Sequence, residues 1–128
     1  MGSPMARRLL NGGHSVTVWA RRQEAIATLV AAGAIAGDSP ADVASHADIV
    51  MTMVTDTKAV EEVVFGERGI ARGARAGALV VDHSTIAPDG ARRMASALTT
   101  HGVEMLDAPV SGGSAAAEAG TLAIMIGG

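Results

Sequence analysis

The chain has 128 residues, 48% hydrophobic and 18% charged, a makeup that gives one globular domain a real core and excludes a disordered chain. A formal charge of -3 with a single lysine offers no basic face to nucleic acid or an anionic membrane, and the lack of cysteine removes disulfides and thiolate metal sites. No apolar run approaches the roughly 20 residues that cross a bilayer, and none at the N-terminus resembles a signal peptide, so a cytoplasmic location is expected.

Two hydrophobic periods alternate along the chain. Ser15-Val16-Thr17-Val18-Trp19 is short and β-branched, lies between Gly12-Gly13 and Arg21-Arg22, and predicts a buried strand. Ile26, Leu29 and Val30 recur at helical spacing, with Gly33 placed to end that helix. Ser39-Pro40 reads as an N-cap and first helical position for a short helix through Val43. Ile49-Val50-Met51-Thr52-Met53-Val54 is a continuous apolar run of strand length.

Asp56 or Thr57 can cap a helix carrying Val60, Val63 and Val64, and Leu79-Val80-Val81-Asp82 reads as a buried strand ending in a polar group. Pro88 and Asp89 open a helix whose Ala91, Met94, Ala95 and Leu98 share one face. Gly102 ends it before a strand through Val103-Glu104-Met105-Leu106-Asp107. Strands separated by helices imply parallel βαβ units with right-handed crossovers, hence a doubly wound α/β domain over 1–128 with no internal boundary.

Ligands of such sheets sit outside the carboxyl ends of the strands. The segments expected there are Ala20-Arg21-Arg22, Thr55-Asp56, His83-Ser84-Thr85 and the run from Pro109 to Gly113. The last of these follows a strand and ends in Pro, Ser and paired Gly, delivering a hydroxyl and bare backbone N–H groups to one point, where a small carboxylate binds well. A turn that simply requires small residues is the competing reading of the same glycines.

Four motifs in order, Met1-Gly2-Ser3-Pro4-Met5-Ala6, Asp82-His83-Ser84-Thr85-Ile86, Asp107-Ala108-Pro109-Val110-Ser111-Gly112-Gly113 and Gly120-Thr121-Leu122, closely resemble the β-hydroxyacid dehydrogenases. That family includes 3-hydroxyisobutyrate dehydrogenase, tartronate semialdehyde reductase and 6-phosphogluconate dehydrogenase. The resemblance implies a Rossmann-like fold and an oxidoreductase moving a hydride between a nicotinamide cofactor and a short β-hydroxyacid or semialdehyde. It also implies that this chain lacks the family's first strand, the first two glycines of its Gly-x-Gly-x-Met-Gly turn, and the helical C-terminal domain with the catalytic lysine.

Carried over position by position, Gly2 is the third glycine of that turn and Arg21 the arginine after the second family strand. No Asp or Glu stands there for a ribose 2′-OH, which favours a 2′-phosphate and hence NADP over NAD, with Arg22 in a lesser part. Val54 and Thr55 are implied to contact the adenosine side through the backbone, and Thr85 the nicotinamide ribose. Ser111, Gly112 and Gly113 are implied to anchor the substrate carboxylate. For each arginine a solvated surface role competes, and for Ser84 and Thr85 a role capping the Pro88 helix.

Lys58, the one lysine, follows Asp56-Thr57 at a helix start and does not match the catalytic position, so no residue of this chain is assigned to catalysis. The four histidines lack metal-ligand spacing, and His14, His46 and His101 read as surface or helix-end residues. The expectation is a partial dinucleotide-binding domain, unstable and inactive alone, from a protein that acts as a homo-oligomer. A non-catalytic nucleotide-binding or interaction module is the alternative.

Overall fold

The computed structural model describes residues 1–128. Helix α1 (Gly2–Asn11) precedes β1 (Thr17–Val18), a 3-10 turn (Gln23–Ala25), α2 (Ala27–Ala31) and β2 (Ile35–Ala36). Then come α3 (Pro40–Ser45), β3 (Ile49–Thr52), α4 (Thr57–Phe65), α5 (Ile70–Gly73), β4 (Leu79–Asp82), α6 (Pro88–Thr99) and β5 (Glu104–Asp107). The chain closes with β6 (Val110–Ser111), α7 (Gly113–Ala119) and β7 (Ala123–Ile124).

Local chemistry starts these helices where the sequence places them. The Ser39 hydroxyl accepts the Asp42 N–H at 3.0 Å with Pro40 at the first helical position, and Asp56 accepts the Ala59 N–H at 2.9 Å at the head of α4. Along α6, Ala91, Met94 and Leu98 are buried, as their spacing predicts. The helix expected around Ile26 to Val30 is α2, five residues long and preceded by a 3-10 turn over Gln23–Ala25, with Gly33 at φ 109° just beyond it.

Strands β3, β4 and β5 form one parallel sheet, aligned so that Ile49 faces Leu79 and Leu79 faces Glu104. Strands β1 and β2 make a separate parallel pair, and β6 and β7 an antiparallel one. The single doubly wound sheet is thus hydrogen-bonded in two parallel parts. The break falls between β1 and β3. The strand expected over residues 15–19 is confined to Thr17–Val18.

One further expectation is corrected. The run over residues 49–54 leaves the sheet after Thr52, because the Val54 N–H turns to the Ser84 side chain. The strand read through Asp107 ends there as expected, and Ser111 then pairs with Ala123 on β7.

The main core lies on one face of β3–β5, where Val50, Val80 and Met105 pack with Val60, Val64, Ile70, Met94 and Leu98. A smaller cluster joins Val18, Ile26, Leu29 and Ala34. The other face of β3 is open, with Ile49 and Met51 exposed by 55% and 48% although parallel sheets are ordinarily covered on both sides. No helix is long and apolar enough to cross a membrane.

Candidate functional site

Parallel strands in register end together. Thr52, Asp82 and Asp107 align across β3, β4 and β5 on the face that carries Val50, Val80 and Met105, so the segments after all three strands leave from one edge. The Thr52 hydroxyl donates to Asp82 Oδ1 at 2.7 Å, and the Ser84 N–H donates to the same oxygen at 3.1 Å. Ser84, fully buried, accepts the Val54 N–H at 2.9 Å. The next turn is fixed from the other side, where His83 Nδ1 donates to the Ala108 carbonyl at 2.8 Å and the Ala108 N–H donates to the Asp82 carbonyl at 2.7 Å.

This network places the segments expected to bind ligand. Val54 and Thr55 are held to Ser84 and Thr85 by the Val54–Ser84 bond, while the Thr55 and Thr85 side chains stay exposed. Gly2 opens α1 beside them: a Cβ there would lie 3.7 Å from Met53 Cβ, ordinary contact that does not itself demand glycine. Helix α1 has no side-chain cap and no acidic residue in its first turn, leaving its initial N–H groups and positive dipole end free for an anion.

Ser111, Gly112 and Gly113 are exposed and reach the same edge through Ala108. Gly112 has φ 133°, and a Cβ on it would fall 2.6 Å from Ala116 Cβ, so only glycine fits the turn from β6 into α7. Gly113 then begins α7, whose first N–H groups have no intrahelical acceptor.

Arg21 and Arg22 stand apart from these segments, after β1 on the two-stranded sheet. Both are exposed, and the chain's salt bridges involve only His46, Arg75 and Arg93 as cations, so both guanidiniums are unpaired.

The structure adds residues that the motifs alone did not single out. Asp82 organises the edge, receiving Thr52 and Ser84 on one carboxylate oxygen. Its other oxygen and Asp107 Oδ1 are buried with no hydrogen-bond partner. Burial, and then the neighbouring Asp82 carboxylate, push the Asp107 carboxyl above its ordinary value. The visible signal was two predicted strands that each end in Asp. Their pairing needed the register.

A dinucleotide suits this edge: three loops emerge together, an uncapped helix end can receive a pyrophosphate, and unpaired guanidiniums follow β1. These features define a nucleotide-binding α/β domain of the dehydrogenase type. The chain belongs to the family of the NAD-binding domain of 6-phosphogluconate dehydrogenase, whose profile matches residues 1–128.

Over 128 residues it is 44% identical to the NAD-dependent L-serine dehydrogenase of Pseudomonas aeruginosa, covering 100% of this chain and 43% of that protein. With the 3-hydroxyisobutyrate dehydrogenase of the same organism it is 41% identical, again across 100% of this chain and 43% of the relative. The structure of the Mycobacterium tuberculosis 3-hydroxyisobutyrate dehydrogenase with L-serine superposes at a TM-score of 0.92 and 35% identity, covering 100% of this chain and 43% of that one. This chain therefore spans less than half the length of the relatives it matches.

Proposed function

We propose that this chain is the dinucleotide-holding part of an NAD(P)-dependent dehydrogenase of short β-hydroxyacids, of the 3-hydroxyisobutyrate dehydrogenase or tartronate semialdehyde reductase type. The observation that carries the reading is the register of Thr52, Asp82 and Asp107, which brings the segments after three strands to one edge. Relatives named for 3-hydroxyisobutyrate and for L-serine support the substrate class, since both acids bear a hydroxyl β to a carboxylate.

In this reading Gly2 and the N–H groups of α1 receive the pyrophosphate, and the Val54 and Thr55 backbone faces the adenosine side. The Thr85 hydroxyl meets the nicotinamide ribose. Arg21, with Arg22 beside it, takes the ribose 2′-phosphate, favouring NADP; a related structure in complex with NADP+ and a relative named as NAD-dependent mark the two alternatives. When bound, the dinucleotide supplies hydride exchange at its nicotinamide carbon. Ser111, Gly112 and Gly113 hold the carboxylate, so that the hydroxyl-bearing carbon is oriented and the reacting pair is not left to random encounter.

Proton transfer at the substrate oxygen belongs to a lysine outside these 128 residues, and Lys58, exposed in the first turn of α4, is not that group. General acid–base help contributes typically 10²–10⁴-fold, so these residues alone should turn over no hydroxyacid. The whole protein is proposed to work as a homo-oligomer.

The test is full-length protein with NADP+ or NAD+ and a panel of 3-hydroxyisobutyrate, L-serine and glycerate, followed by nicotinamide absorbance. Reduction with at least one acid is expected. Dinucleotide binding without turnover of any short β-hydroxyacid would instead favour a non-catalytic nucleotide-binding module.

A further inference from the structure

We propose that Asp82 and Asp107 share one proton, carried by Asp107 and donated to Asp82, and that this bond is a positioning device tying the ends of β4 and β5 together. The residues are register partners on adjacent parallel strands. Side chains at partnered positions of a parallel ladder leave the sheet on the same side, from backbones about 4.8 Å apart.

The hydrogen-bond inventory leaves places for a donor here. Asp82 Oδ1 already accepts the Thr52 hydroxyl and the Ser84 N–H, and Asp82 has no exposed surface. The two buried carboxyl oxygens without partners, Asp82 Oδ2 and Asp107 Oδ1, belong to these neighbours. Two ionised carboxylates have only acceptors to offer each other, whereas one added proton turns a repulsive contact into an O–H···O⁻ hydrogen bond and satisfies both atoms.

Asp107 is the member that carries the proton. Asp107 is half-buried and lines a cavity of about 460 Å³ with Arg92, Pro88 and Ala91 of α6 and Gly127 and Gly128, a route by which it can exchange a proton with solvent. Asp82 lies behind it, fixed by its donors. The ionisable groups around Asp107 are Asp82 on β4, His83 just after it, whose Nδ1 donates to the Ala108 carbonyl, and Arg92 across the cavity on α6; Gly127 contributes backbone, its N–H and carbonyl both bonding those of Asp107.

The bond has a consequence for the edge. Ser84 and Thr85 leave the sheet directly after Asp82, and the path to Ser111 directly after Asp107. While the proton is held, both segments are fixed to one another. Ionising both carboxylates places like charges between them and loosens the Ala108 N–H, which donates to the Asp82 carbonyl at 2.7 Å.

The experiment is a carbon-13 NMR titration of the Asp107 side-chain carboxyl in the full-length protein, with hydrogen-exchange protection of the Ala108 N–H followed over the same pH range. Expected are a midpoint above the ordinary Asp value of about 3.9, a fall of that midpoint toward the ordinary value in Asp82→Asn, and loss of Ala108 protection as pH rises through it. Asp107→Asn, whose amide donates to Asp82 without titrating, should hold protection constant. A wild-type midpoint at or below the ordinary value, or Ala108 protection equally pH-dependent in Asp107→Asn, would overturn the proposal. Should a variant fail to fold, the wild-type spectra still test the pair: a shared proton requires the Asp82 carboxyl carbon shift to move at the Asp107 midpoint, and an Asp82 signal indifferent to it would overturn the proposal.

Discussion

The Val54 backbone N–H donates to the Ser84 hydroxyl at 2.9 Å, so one buried side chain fastens the segment after β3 to the segment after β4. Neither partner is on a strand, yet the bond sets the spacing of two loops assigned to the dinucleotide.

Ser84→Ala should therefore destabilise the protein by about 1–3 kcal/mol, because it leaves a part-buried N–H without an acceptor. Denaturant midpoints measure the loss. A weaker grip on the dinucleotide should accompany it, since Val54 and Thr55 are released from their neighbour.

Gly112→Ala should cost more than Gly113→Ala. Both residues have positive φ, which strains a side chain by roughly 1–2 kcal/mol, but only at Gly112 does the added carbon collide with Ala116, at 2.6 Å. At Gly113 nothing lies within 4 Å. Equal losses in thermal unfolding would count against the turn described for residues 111–113.

Asp107 gives stability an unusual dependence on acidity. Its carboxyl is raised in the folded state, so its contribution is fully present below the unfolded value of about 3.9 and is lost as pH rises through the folded value. The stability of wild type relative to Asp107→Asn should fall as pH increases across that window and then level off. Urea unfolding of the two proteins in parallel cancels the carboxylates remote from this pair and leaves the contribution of the coupled Asp82–Asp107 unit.

Burial and exposure separate two changes on α6. Leu98, with no exposed surface, should cost about 2–5 kcal/mol on replacement by Ala. Arg93 bridges Glu61 at 3.0 Å and Asp89 at 3.1 Å, but its side chain is 61% exposed. Arg93→Ala should thus cost about 1 kcal/mol or less.

How much of this was legible in the sequence depended on whether the signal was local. Helix α6 could be read because Pro88 marks its start and Ala91, Met94 and Leu98 repeat on one face. Strand β4 could be read because four consecutive residues, Leu79 to Asp82, have a bounded apolar pattern. Strand β2 escaped because it has two residues, both exposed, Ile35 by 59%, leaving neither length nor a buried face to betray it. Helix α7 escaped because Ser-Ala-Ala-Ala-Glu-Ala carries no large apolar stripe and lies between glycines that read as turns. The motifs pointed to the segments after the strands, whereas the bonds that hold them, from Thr52 to Asp82 and from His83 to Ala108, join residues 30 and 25 positions apart and became visible only with the sheet register.

The most direct test of the central claim, that this edge holds a dinucleotide with Arg21 and Arg22 on its 2′-phosphate, is calorimetric titration of NADPH and NADH into the full-length protein and its Arg21→Ala/Arg22→Ala variant. The prediction is tighter binding of NADPH by wild type, and a loss of about tenfold or more for NADPH in the variant with NADH nearly unchanged, since charge-assisted hydrogen bonds are worth roughly 1.5–3 kcal/mol. Failure of wild type to bind either dinucleotide, or an equal loss for both in the variant, would contradict it.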